Sequence, residues 1–393
     1  MSYSNNSIFS TIWFYGLIGL VFLLVLNYHP FFMTEEAVEV KGTALSRYIV
    51  ALFSMLWVLR INVSGWLNSK VIRISFIAVL VIFFTSLLTI IIFDTRIYDL
   101  RAILICMGAI MIGWQADLSD KKVSLLLIVY GLLSIIVGVI WVFGSGVGFS
   151  IQSYFVEQKN SFGVLLATSV VLFFYLFLQR EKVWNKIILL LLVVLGFMLL
   201  LTIRARLSTL TAFLIVLLLL FRENSNKTWV LRWVRVIFIV LIIVVVLLRT
   251  SAIEYIYQSY TYEQGDDLTS DRMFRNKGAI DFLSDHLLFG NLSKEGNVVQ
   301  VHNYPLRVLY EYGLFFSLPI ISYYAYSLIL VLRKSLKSNI RSINCIGYFL
   351  VMVPFIISFG EPTLPFGPGT ATLLNFILFG YSLKCSVRTN TYY

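Results

Sequence analysis

The chain has 393 residues, of which 59% are hydrophobic and only 13% charged, and its mean hydropathy is +0.87. A soluble domain carries about a quarter charged residues, so this composition excludes an ordinary soluble protein. The formal net charge is +11, but the cations lie in short clusters between apolar runs; that pattern argues against a nucleic-acid partner and matches the Lys/Arg bias of cytoplasmic loops.

A spanning helix needs roughly 20 mostly apolar residues, because backbone groups find no water in hydrocarbon. Such runs predict about twelve spans, at approximately 8–27, 44–61, 74–93, 97–116, 123–143, 161–179, 187–203, 207–221, 234–250, 306–332, 342–359 and 371–384. The expected fold is all-α, a polytopic transmembrane helix bundle with one large, partly helical loop. Residues 1–250 hold the first nine spans, 251–305 the loop, and 306–393 the last three spans and a tail. The first run is read as a span and not as a cleaved signal: it is long, no Lys or Arg precedes it, and no small-residue cleavage site follows it. Cys106, Cys345 and Cys385 are scattered, so neither a disulfide framework nor a metal site is expected.

With both termini cytoplasmic, the inner loops collect Lys121 and Lys122, Arg180, Lys182 and Lys186, Arg222 to Arg235, Arg333 to Arg341, and Lys384 and Arg388. The same alternation puts 251–305 outside. Within it, Asp271 to Phe289 predicts an amphipathic helix with Met273, Phe274, Ile280, Phe282 and Leu283 on its apolar face, ended by Gly290-Asn291.

Four constellations can carry chemistry. Arg204 and Arg206 lie between two spans on the outer side, with almost no loop to hold them. Arginine there is costly, and its planar fork suits phosphate oxygens; the plain alternative is snorkelling to headgroups. Arg272, Arg275 and Lys277 stand close together in the large loop; a solvated helix face explains Arg275 and Lys277 as well as ligand binding does. His302-Asn303 marks the re-entry of the loop, with Pro305 in the first turn of the next helix and Arg307 and Glu311 one turn apart. An imidazole can transfer a proton near neutral pH, and a lone histidine is more often structural. Glu361, in a Gly/Pro-rich outer loop, can orient a sugar hydroxyl or simply be solvated.

His302-Asn303 followed by Leu306, Leu309, Glu311 and Gly313 resembles the signature of the O-antigen polymerase and O-antigen ligase superfamily, where it ends the large periplasmic loop. Arg272 with the apolar stretch ending Leu288-Phe289-Gly290 resembles the upstream half of that loop. Ile203-Arg204-Ala205-Arg206 is similar to the family's short Arg motif, and Lys159-Asn160-Ser161-Phe162 fits the opening of the sixth span. The likeness covers roughly residues 155–320. Departures are Asn291-Leu292 after Gly290, Phe316 where a second glycine is usual, and Ile203 before the arginine.

The resemblance implies a metal-independent, cofactor-free glycosyltransferase at the outer face of the bacterial inner membrane. Its donor and acceptor would be undecaprenyl-diphosphate-linked oligosaccharides, and it leaves room for a chain-length regulator as partner. A polymerase is the first expectation. The alternatives are an O-antigen ligase that transfers the glycan to lipid A–core, a capsule or exopolysaccharide polymerase, and, from another class, a flippase for the lipid-linked unit. In the expected mechanism Arg204, Arg206 and Arg272 stabilise the departing diphosphate, and His302 acts as base or orients the acceptor. Arg275, Asn303, Glu311, Glu361, Lys159 and Asn160 are the expected substrate contacts.

Overall fold

A computed structural model describes residues 2–32, 44–59, 69–144, 153–203, 205–223, 272–293, 301–367 and 369–390. Among these residues the chain is helical and contains no strand. The helices are α1 (Ser2–Leu26), α2 (Ala44–Val58), α3 (Lys70–Phe93), α4 (Asp99–Gln115), α5 (Asp120–Val139, continued by a π-turn over Ile140–Gly144) and α6 (Ser153–Gln179). They continue as α7 (Val183–Thr202), α8 (Arg206–Glu223), α9 (Arg272–Asp285), α10 (Tyr304–Lys337), α11 (Ile346–Ile357) and α12 (Gly369–Asn390). A helix stands at each expected range except 234–250, which lies outside the described residues. Lys70–Phe93, Asp120–Phe143, Asn160–Gln179, Val183–Thr202, Tyr304–Lys337 and Thr370–Val387 are long and apolar enough to cross a membrane; α1, α2 and α11 are shorter apolar helices.

α6 is the central post. Nearly every side chain from Phe162 to Leu176 is buried, and α5, α7, α8 and α11 pack around it. α12 lies against α4 and α11 at backbone distance. A Cβ added at Gly113 or Gly380 would sit 1.7 or 2.0 Å from a carbonyl of the facing helix, and one at Gly347 would sit 2.0 Å from the Leu378 carbonyl. Small residues allow such crossings where lipid offers no hydrophobic drive between helices. Asn375 on α12 then reaches two neighbours, donating to Thr168 Oγ1 and to the Leu350 carbonyl, each at 3.1 Å. The outward faces are apolar: Ile77, Phe84, Leu88 and Ile91 on α3, and Ile188, Leu191 and Val194 on α7, are exposed. Such faces suit lipid and not water.

Contacts sort the helix ends into two groups. At one end lie the basic clusters expected to be cytoplasmic. There Arg222 donates to the Ser335 and Ser338 carbonyls, Arg341 pairs with Glu223 at 3.2 Å, and Lys384 donates to the Ala116 carbonyl at 2.7 Å. The apolar stretch Thr370–Val387 agrees with the expected last span 371–384 to within a turn, and the helix itself extends further. The Lys384 stem lies along the helix and its ammonium reaches a neighbouring helix end, so α12 runs on to Asn390 instead of stopping at the charge. At the other end lie α9 and the start of α10.

α9 corrects one expectation. It ends at Asp285, and a turn over residues 286–289 leads to Gly290, whose φ is +56°. Its buried face is Ala279, Phe282 and Leu283, packed on Val301, Leu306, Leu309 and Tyr310, while Phe274 and Ile280 are exposed. The docking surface is the first turns of α10; Phe282 and Leu283 of the expected stripe meet it, Phe274 and Ile280 do not, and the Met273 side chain lies outside the described residues.

Candidate active site at the loop-bearing end

α10 is two helices joined at Gly313, whose φ of 64° and ψ of 174° break the run. The break frees the N–H groups of Leu314 and Phe315 from their helical partners, and buried amides must bond elsewhere. They donate to the carbonyls of Leu287 and Leu288 at 2.8 and 3.1 Å. Gly290 fits against the break. A Cβ on Gly290 would lie 2.4 Å from the Gly313 nitrogen, and one on Gly313 would lie 2.4 Å from the Gly290 nitrogen. Phe289 closes the joint between Phe93 and Phe316, at ring separations of 5.7 and 6.3 Å. The two glycines that end the two loop motifs thus touch one another.

The first turn of α10 is held from three sides. The Asn303 side-chain oxygen accepts from the Leu306 N–H at 3.0 Å, and its amide nitrogen donates to the Phe359 carbonyl at 3.1 Å. Asn303 therefore serves as helix cap and as tie to the end of α11, and its amide is used by the fold at both ends. The Tyr304 N–H donates to the Ser358 carbonyl at 3.0 Å. The His302 N–H donates to Asn276 Oδ1 on α9 at 3.1 Å.

One turn further lies the densest charge in this corner. Arg307 pairs with Asp99, at the start of α4, and its Nη1 reaches both oxygens of Glu311 at 3.3 and 3.1 Å. The guanidinium lies 5.3 Å over the Tyr304 ring. The Tyr312 hydroxyl donates to the second Asp99 oxygen at 3.1 Å and accepts from the Tyr98 N–H at 3.3 Å. The side chains of Asp99, Arg307 and Glu311 are 5%, 17% and 36% exposed, so the cluster is graded from interior to surface. The pairing of Arg307 with Glu311 follows the sequence reading. Asp99 does not. It stands among Asp94, Arg96 and Arg101 at the start of α4, where the sequence reads as a charged helix end, and only its burial and its pairing with Arg307 single it out. With two carboxylates on one arginine, the cluster is net negative by one charge. It suits hydroxyl groups and not phosphate.

A second corner lies at the same end. Gly163 of α6 packs on Ala205 and Ser208, where an added Cβ would stand 2.6 Å from the Ala205 methyl. Asn160 lies one turn before Gly163 on α6 and Arg206 follows Ala205 on α8; both are half-buried. Trp141 stacks on Phe162 at 4.9 Å, and the Tyr28 hydroxyl meets Thr370 Oγ1 at 3.0 Å. Thr370 leads back through the half-buried Glu361 to Ser358 and Phe359, and so to Asn303 and Tyr304. The expected residues therefore share one end but fall into two corners: His302, Asn303, Glu311 and Arg275 in one, Asn160 and Arg206 in the other. Arg272 is the first residue of α9, and Lys159 lies in the second turn of α6. Arg204 lies outside the described residues.

The first corner offers a half-buried carboxylate held by an arginine on the helix that His302 precedes, and the second offers a cation. Compared with known proteins, the chain matches no family model and no curated protein.

Proposed function

We propose that this chain is a membrane-embedded glycosyltransferase that joins oligosaccharide units carried on undecaprenyl diphosphate, acting as an O-antigen polymerase at the periplasmic face of the bacterial inner membrane. With the twelve spans expected from the sequence, the positive-inside rule would put the basic end in the cytoplasm and the α9 end outside. One observation carries the reading: α9 is locked on the broken start of α10 through Gly290 and Gly313, so that the two loop motifs form one unit beside a buried ion cluster.

The reaction breaks a bond between an anomeric carbon and a diphosphate, and a sugar hydroxyl attacks. Negative charge grows on the leaving group and needs fixed cations. Arg307 is already balanced by Asp99 and Glu311. The cations are then Arg206 from the second corner, with Arg272 and Arg275 from α9 and Arg204, two residues before Arg206 in the sequence. The proton of the hydroxyl goes to one of two groups in the first corner, His302 or Glu311.

The test is reconstitution of the purified chain in liposomes with undecaprenyl-diphosphate-linked repeat units, with glycan length read on a gel. The expected product is a ladder of multiples of the unit on the lipid. Units moved across the bilayer at unchanged length would make the chain a transporter. Transfer only to added lipid A–core would make it a ligase.

A further inference from the structure

Two carboxylates and one arginine leave a surplus, and the geometry says which carboxylate is the surplus one. Asp99 is almost wholly buried and both its oxygens are taken, one by Arg307 and one by the Tyr312 hydroxyl at 3.1 Å. Glu311 is the most exposed of the three, and both its oxygens lean on the single nitrogen Nη1 of Arg307, at 3.3 and 3.1 Å. Arg307 stays charge-balanced by Asp99 whether or not Glu311 holds a proton. Protonating Asp99 would instead remove a buried countercharge, the costly way to disturb an ion pair. Glu311 also sits on a helix held from α4, α9 and α11, whereas His302 lies in the segment that joins α9 to α10. Reacting groups are placed more precisely on rigid elements than on connections.

We propose that Glu311 is the catalytic base of the transfer reaction and that Asp99 is its positioning residue, acting through Arg307. This rests on the glycosyltransferase reading. The acceptor O–H bond breaks and its proton passes to the Glu311 carboxylate. The oxygen's electron pair forms the new bond to the anomeric carbon. The carbon–oxygen bond to the diphosphate breaks, and its electron pair leaves with the diphosphate. His302 orients the acceptor.

The experiment uses the full chain in liposomes with the lipid-linked repeat unit, measuring kcat and KM for Glu311→Gln, Glu311→Asp, Asp99→Asn and the double variant Asp99→Asn/Glu311→Gln, with thermal melting of each. Glu311→Gln should lower kcat by roughly 10²-fold or more, as loss of a general base does, with KM within about threefold and melting unchanged. Glu311→Asp should recover part of kcat. Asp99→Asn should lower kcat with little change in KM, and in the double variant it should add almost nothing, because both changes remove the same function. A Glu311→Gln chain within about threefold of wild type overturns the proposal and leaves the glycosyltransferase reading intact. Full additivity of Asp99→Asn overturns its positioning role. A wild-type chain that leaves the lipid-linked unit unextended overturns the reading and the proposal with it.

Discussion

The two ends of the bundle use charge in different ways. At the basic end, side chains bond to backbone carbonyls at helix ends and in the connections between them. Arg222 serves the end of α10, Lys384 the end of α4 at 2.7 Å, and Tyr175 the Ser342 carbonyl at 2.6 Å. Cations belong at helix C-termini, where unpaired carbonyls and the helix dipole meet them. At the loop-bearing end, Arg307 is spent on two carboxylates from two helices, and no helix terminus needs it. A buried ion pair is seldom the most stable filling for its space; apolar residues of equal volume do as well or better. The first pattern finishes helix ends, and the second buries an ion pair, anchored at the first turn of α4, where apolar residues could fill the space. That difference is why the site is read at the α9 end.

The comparison breaks most sharply at Arg307. Arg307→Ala leaves Asp99 buried without a countercharge and should cost about 3–5 kcal/mol, read as lost protein level and lowered melting temperature. Replacing the pair together, Asp99→Asn with Arg307→Met, should restore melting to within about 1–2 kcal/mol of wild type while chain extension stays absent. Recovery of extension in that double variant would make the pair structural. His302→Ala should cut extension by about 10²-fold through loss of acceptor orientation, with normal membrane insertion and melting; wild-type polymer lengths would remove His302 from the scheme. Arg206→Lys should weaken use of the lipid-linked donor by about tenfold, because a point charge cannot reproduce a two-pronged contact with phosphate oxygens. Full activity in that variant would favour snorkelling to headgroups. The smallest effect on chemistry belongs to the other end. Arg222→Ala should lower stability by roughly 1.5–3 kcal/mol through lost charge-assisted caps, with unchanged turnover per folded molecule.

Much of the fold was legible because apolar runs of spanning length are a strong signal, and Pro305 in the first turn of α10 marked its start. The i,i+4 spacing of Arg307 and Glu311 gave their pairing directly. Other features depended on partners that no local pattern names. α12 runs on beyond Lys384, which reads as a loop charge until the Ala116 carbonyl stands beside it. The buried face of α9 departs from the expected stripe because the surface it meets, the first turns of α10, is named by no local pattern. Gly313 was visible as part of a motif, yet its role emerged only from Gly290 against it. Asn303 was expected at substrate, and the fold uses its amide as cap and tie. Asp99 was passed over because it reads as one charge among Asp94, Arg96 and Arg101 at a helix start. Its partner lies far along the chain, and only packing joins them.

The account depends above all on the two ends facing opposite sides of the membrane, with α9 and the ion cluster outside. A chain with its native cysteines replaced by serine can carry one new cysteine, at Ser284 on the exposed face of α9 or at Lys337 at the basic end. Labelling with a membrane-impermeant maleimide on intact spheroplasts should mark Ser284→Cys at once and Lys337→Cys only after permeabilisation. The reverse pattern would put the cluster in the cytosol, away from any glycan on the outer face.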